Sequence, residues 1–174
     1  MVADQAQVSG EGAEARDRGA ESKRMGGLVL ARQLGESIMI GDAVLVEVLG
    51  LKSNAVRLRV VAPRAVAVHR REVYDSIRLA PRPDTPTPDL GVGLAEFAGQ
   101  APAADEGGLV LTRRVGQTIM IGGEVAIDVV EARPGTVRLR VIAPRAIAVH
   151  RREVYDAIRA GAARARQGEP VAAV

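Results

Sequence analysis

Residues 27–41 read GLVLARQLGESIMIG, and residues 108–122 read GLVLTRRVGQTIMIG. The likeness continues. Residues 57–78, RLRVVAPRAVAVHRREVYDSIR, return as residues 138–159, RLRVIAPRAIAVHRREVYDAIR. At a constant offset of 81, residues 27–80 align with 108–161 without a gap, and 32 of the 54 positions are identical. Two copies are too few for a stacked array, so the reading is duplication of one small domain. The middles differ most, DAVLVEVLGLKSNAV against GEVAIDVVEARPGTV.

Each copy has the rhythm of short strands. Leu28–Ala31 is an apolar run closed by Gly35, and Ser37–Ile40 resumes before a turn signal at Gly41-Asp42. Val44–Leu49 is a third strand. Val56–Val61 alternates Val-Arg-Leu-Arg-Val, the period of a half-buried strand, and Pro63 ends it. Val66–His69 is a fifth. Arg71–Leu79 then places Val73, Tyr74 and Ile77 at helical spacing. The expected fold is mainly β: two five-stranded modules, each with a short C-terminal helix. About 54 residues with unpaired strand edges are marginal alone. Interleaving the two modules as a pseudo-dimer within one chain solves both problems.

The domain reading follows: a disordered tail over 1–25, module one over 26–80, a linker over 81–107, module two over 108–162 and a flexible tail over 163–174. The linker, PRPDTPTPDLGVGLAEFAGQAPAADEG, is rich in Pro, Gly and acid. As a flexible tether it has a root-mean-square span of about 30 Å, enough to let the modules close on each other.

Composition narrows the function. Aromatics are 2% of the chain and Cys is absent, which excludes disulfides, Cys-based zinc sites and thiol catalysis. Two His residues are too few for a His-rich metal cage. No apolar run of about 18 residues and no signal-peptide core is present, so a cytoplasmic protein without a membrane span is expected. Net charge is only +3, but residues 108–166 hold eleven basic against five acidic residues, and the linker one against five. Basic blocks point to a polyanionic partner. With so few aromatics, base-stacking platforms are disfavoured, leaving readout by arginine and strand-edge backbone. Arg57, Arg59, Arg138 and Arg140 alternate on a strand and read as a solvated face. Glu72 and Glu153 suit a helix N-terminus, and Tyr74 and Tyr155 read as helix packing.

The repeated unit resembles the carbon storage regulator (CsrA/RsmA) family. Its opening pattern, L-x-L-T-R-R-x-G-E-x-I-x-I-G, is matched from Leu109 through Thr112, Arg113, Arg114 and Gly116. Its closing pattern, A-P-x-x-x-x-V-H-R-x-E-I-Y, is matched from Ala62 to Tyr74 and from Ala143 to Tyr155. The resemblance implies an interlocked dimer that binds messenger RNA at GGA in hairpin loops, often covering the ribosome-binding site and repressing translation. No cofactor and no catalysis are expected, because neither copy has a Ser or Cys nucleophile motif with an obvious base.

The resemblance also implies that each RNA site joins the first strand of one unit to the fifth strand of the other. The residues this selects are Leu30, Ala31 and Arg32 with Val149, His150 and Arg151, and Leu111, Thr112, Arg113 and Arg114 with Val68, His69 and Arg70. Copy one departs from the pattern, with Ala31 for Thr and Gln33 for the second Arg, so its site is expected to be the weaker. Small regulatory RNAs are further expected partners, as is a protein antagonist of the flagellar-assembly-factor type. Pairing within one chain and a chain-exchanged homodimer both fit the sequence. An enzyme finds no support in the residues, and DNA reading lacks a long basic helix.

Overall fold

A computed structural model describes residues 25–79, Leu94 and residues 108–166. The first copy runs β1 (Met25–Gln33), β2 (Ser37–Ile40), β3 (Val44–Lys52), β4 (Ala55–Val61), β5 (Val68–Arg70) and α1 (Arg71–Leu79). The second runs β6 (Leu109–Arg114), β7 (Thr118–Ile121), β8 (Val125–Arg133), β9 (Thr136–Pro144), β10 (Val149–Arg151) and α2 (Arg152–Arg166).

The ten strands form two antiparallel sheets, and neither belongs to one copy. One has the order β1-β9-β8-β7-β5 and the other β10-β2-β3-β4-β6. Each copy keeps its second, third and fourth strands together and gives its first and fifth to the edges of the other sheet. β1 runs along β9 from Met25 opposite Pro144 to Gln33 opposite Thr136. β10 lies on β2 with His150 opposite Met39. The mirror pairings are β6 on β4 and β5 on β7. The fold class is therefore as expected, including the interleaving.

The strands obey the period-2 rule. Val56, Leu58 and Val60 point inward from β4, and Val137, Leu139 and Val141 from β9. Both sheets contribute to one core of branched aliphatic side chains, including Ile38, Ile40, Ile119, Ile121 and Ile127 at 0% exposure. Burying each such side chain is worth roughly 1.5–3 kcal/mol. β-Branched residues suit that role because their first torsion is already restricted in a strand.

The helices also cross between copies. Tyr74 of α1 packs with Met120, Ala126 and Ile142 on the sheet that holds most of copy two. Tyr155 of α2 donates its hydroxyl to Asp42 Oδ1 of copy one at 2.9 Å. Both rings are 7% exposed, so the helix-packing reading of the tyrosines holds.

Several boundaries differ from the sequence reading. β1 begins at Met25 and extends to Gln33 because β9 offers nine partners in register. The fifth strands start at Val68 and Val149, after a turn in which Val66 N–H donates to Pro63 O. α2 continues to Arg166, inside the stretch expected to be a tail, because Ala160-Gly161-Ala162-Ala163 contains no strong helix stop. Within the linker, Leu94 is 4% exposed and belongs to the main core. A featureless tether does not account for it. The N-terminal tail, the remainder of the linker and residues 167–174 lie outside the described residues.

Candidate nucleic-acid interface

The strand period decides where the edge-strand side chains go. In β1, Leu30 turns into the core, Ala31 faces out, Arg32 turns in and Gln33 faces out; Leu111, Thr112, Arg113 and Arg114 repeat this in β6. Arg32 is therefore 2% exposed and Arg113 3% exposed. As placed, neither guanidinium offers its donor fork to solvent, which the sequence reading assumed. The signal was available: an arginine two positions after a core leucine shares its face.

A buried guanidinium requires carboxylates, and they come from the opposite copy. Arg32 Nη1 lies 3.3 Å from Glu153 Oε1 at the start of α2, and also 3.3 Å from Glu36 Oε2 in its own turn. Arg113 Nη1 lies 3.7 Å from Glu72 Oε1 at the start of α1. Glu72 and Glu153 occupy first helical turns, as expected from the helix dipole, and in addition hold these arginines. Burial pushes the Arg113 guanidinium below its usual range, the nearby Arg70 charge adds to that, and Glu72 opposes both. Arg32 Nε and Nη2 and Arg113 Nε are buried without a hydrogen-bond partner among the described residues.

These pairs set the first strand of one copy against the fifth strand of the other. Glu153 follows β10 and Glu72 follows β5, so each pair ties a first strand to the helix start just after the other copy's fifth strand. Each first strand, with the fifth strand it is tied to in this way, makes one candidate groove: Ala31, Arg32 and Gln33 with Arg151, and Thr112, Arg113 and Arg114 with Arg70, whose charge reaches Arg113. Arg70, Arg151, Thr112 and Arg114 are exposed; Val68 and Val149 are partly buried against the core. His69 and His150 are half-buried opposite Met120 and Met39. All four strands are sheet edges, so one side of each carries backbone donors and acceptors with no strand partner among the described residues.

A turn sits at the end of each groove strand. Gly35 and Gly116 take φ of +82° and +84° there, a region that L side chains avoid. The first turn is tied by Gln33 N–H donating to Glu36 Oε2 at 2.8 Å, and the second by Arg114 N–H donating to Gln117 Oε1 at 2.9 Å.

Outside the grooves the alternating arginines are largely solvated, as expected, and several pair on the sheet surface: Arg59 with Glu47, Arg140 with Asp128, Arg138 with Glu131. No group of His, Asp or Glu suited to a metal ion occurs among the described residues. No described helix is long and apolar enough to cross a membrane.

The class defined by this fold is a strand-exchanged, two-sheet β protein made from two copies of one module, each sheet edged by the first and fifth strands of the opposite copy. The CsrA family, described as a global regulator protein family, matches the chain twice, over residues 27–78 and 109–160, and the chain belongs to it. It is an RNA-binding post-transcriptional regulator of a non-enzymatic family. No solved structure matches the chain.

Proposed function

We propose that the chain binds messenger RNA at GGA displayed in hairpin loops and represses translation by covering the ribosome-binding site. The observation that carries the reading is that buried Arg32 of β1 and Arg113 of β6 pair with Glu153 and Glu72, which directly follow the fifth strand of the opposite copy. Two composite grooves per chain result. In each, unstacked loop bases meet strand-edge N–H and C=O groups, and exposed arginines face the phosphates.

The roles divide by exposure. Arg70, Arg114 and Arg151 contact RNA directly, with Thr112 beside them. Arg32 and Arg113 act from below, holding the two walls of each groove at a fixed spacing. Leu30 and Leu111, 8% exposed, form the floor under the edge strands. Val68 and Val149 anchor the opposite walls, and His69 and His150 support them.

The test is binding to a hairpin with GGA in its loop, against the same hairpin with a scrambled loop, over a range of salt. Loop-dependent binding supports the reading. Equal weak binding to both, collapsing as salt rises, would leave only nonspecific phosphate attraction and would favour a protein antagonist as the main partner.

A further inference from the structure

The outer faces of the two sheets carry matching rows of side chains that differ at one decisive position. A bulge in β3 after Val48 brings Gly50 opposite Arg57 of β4, and Arg57 lies opposite Thr112 of β6. The matching bulge in β8 after Val129 brings Glu131 opposite Arg138 of β9, which lies opposite Ala31 of β1. The next outward row is Lys52–Ala55–Arg114 in one sheet and Arg133–Thr136–Gln33 in the other. Each pair of rows lines a surface pocket at the equivalent place.

In the pocket beside Ala31, one carboxylate takes both arginines. Glu131 Oε1 lies 2.5 Å from Arg133 Nε, and Glu131 Oε2 lies 3.7 Å from Arg138 Nη1. In the pocket beside Thr112, Gly50 carries no side chain, and Lys52, Arg57 and Arg114 are exposed with no ion pair among the described residues. The flanking row is balanced in both sheets, by Arg59–Glu47 and by Arg140–Asp128. Glu36, in the turn after β1, is committed to Arg32 and to Gln33 N–H. The fold does not demand the glycine. A Cβ at Gly50 would meet Arg57 Cβ at 3.5 Å, an ordinary contact, and its φ lies outside the left-handed region.

These are the side chains that hold phosphate. A guanidinium donates parallel hydrogen bonds to its oxygens, an ammonium adds a point charge, and a threonine hydroxyl donates one more. The pocket over Gly50, about 310 Å³, has room for the group. We propose that this pocket is a phosphate-binding site in which Lys52, Arg57 and Thr112 hold a backbone phosphate of RNA leading out of the second groove, and that Glu131 is an internal counter-anion filling the equivalent pocket of the first sheet. Thr112 and Arg114 line both groove and pocket, so the two are continuous along β6. The proposal rests on RNA being the ligand of that groove, not on GGA being the sequence read there.

The experiment uses the full chain with one groove disabled, and the GGA and scrambled hairpins as probes. In an Arg151→Ala background, Gly50→Glu gives the second pocket the carboxylate of the first. Gly50→Gln matches its size without charge. Ala163→Glu, on the exposed end of α2, makes the same change in net charge away from the pocket. Gly50→Glu is expected to weaken both hairpins about three- to tenfold at low salt and to flatten the slope of log affinity against log salt by about 0.7, the value for one single-strand phosphate. Lys52→Gln, an exposed change that spares the bulge, is expected to do the same. Gly50→Gln and Ala163→Glu are expected to leave affinity and slope unmoved. In an Arg70→Ala background, Glu131→Gln frees Arg133 and Arg138, and is expected to tighten binding and steepen the slope.

Loop-dependent binding that neither Gly50→Glu nor Lys52→Gln weakens would overturn the pocket and leave the groove reading intact. Equal losses from Gly50→Gln or from Ala163→Glu would also overturn it, since bulk or net charge would then explain the effect. The expected shifts on both hairpins, with no preference for the GGA loop, would support the pocket and remove the GGA reading.

Discussion

Arg32 Nη1 and Glu153 Oε1 meet at 3.3 Å although 121 positions separate them in the chain. The contact exists only because β1 has left its own copy and joined the sheet of the other. The same is true of Arg113 and Glu72. Each ion pair thus reports the interleaving and fixes the spacing between two groove strands. Packing and site geometry are one feature here, since no copy closes a groove alone.

The two pairs should differ in stability cost. Removing Glu153 leaves buried Arg32 with Glu36, whereas removing Glu72 leaves buried Arg113 with no carboxylate among the described residues. An uncompensated buried charge is strongly unfavourable. Glu72→Ala is expected to cost about 2–3 kcal/mol and Glu153→Ala about 1 kcal/mol or less, the glutamates being partly solvated. Urea unfolding of both variants measures this. Equal losses would show that Glu36 does not compensate.

Much of this was legible in the sequence, and the reasons are physical. The 81-residue offset gave the modules, and Val-Arg-Leu-Arg-Val gave a strand whose faces are correctly assigned. The helix at Arg71–Leu79 was readable from Val73, Tyr74 and Ile77. The depth of Arg32 and Arg113 was missed because arginine is expected at the surface, although Leu30 and Leu111 two positions earlier marked the inward face. Glu36, Glu72 and Glu153 were not seen as partners because those contacts are either long-range or depend on the arginine being buried. Leu94 carried no signal in a stretch whose composition reads as tether.

The RNA contacts of the two grooves are expected to be unequal. Thr112 and Arg114 face out in the second groove, where the first has Ala31 and Gln33. A lost arginine contact is worth roughly 1–3 kcal/mol. Arg70→Ala, which strips the second groove, should therefore weaken GGA-hairpin binding more than Arg151→Ala does. A titration that resolves stoichiometry decides it, and matching losses would mean that the grooves are equivalent.

Pairing within one chain predicts a particle of 18.3 kDa. Light scattering at micromolar concentration should give that mass, unchanged on dilution. A species of twice the mass would mean that the copies exchange between chains.

The helices differ in their anchors. Each tyrosine hydroxyl accepts from an arginine of its own helix, Arg78 or Arg159, but Tyr155 also donates to Asp42 at 2.9 Å, whereas the position equivalent to Asp42 in copy two is Gly123. Asp42→Ala should destabilise the fold by about 1–2 kcal/mol, the scale of a partly buried hydrogen bond to a charged acceptor. Tyr155→Phe should cost a similar amount and add little to Asp42→Ala. Additive losses in this double-mutant cycle would separate the two residues energetically.

Leu94 supplies the last test, because two views of the linker predict different results. If the stretch between the copies only tethers them, shortening one of its side chains is neutral, as for most exposed positions. Leu94 is instead 4% exposed within the core that both sheets build. Leu94→Ala should then cost about 2–4 kcal/mol, the range for a buried leucine, and Leu94→Asp more, since an unpaired carboxylate would enter an aliphatic core. Denaturant unfolding with the slope held constant measures both losses. A midpoint unmoved by Leu94→Asp would mean that the side chain sits in water and the linker is a plain tether.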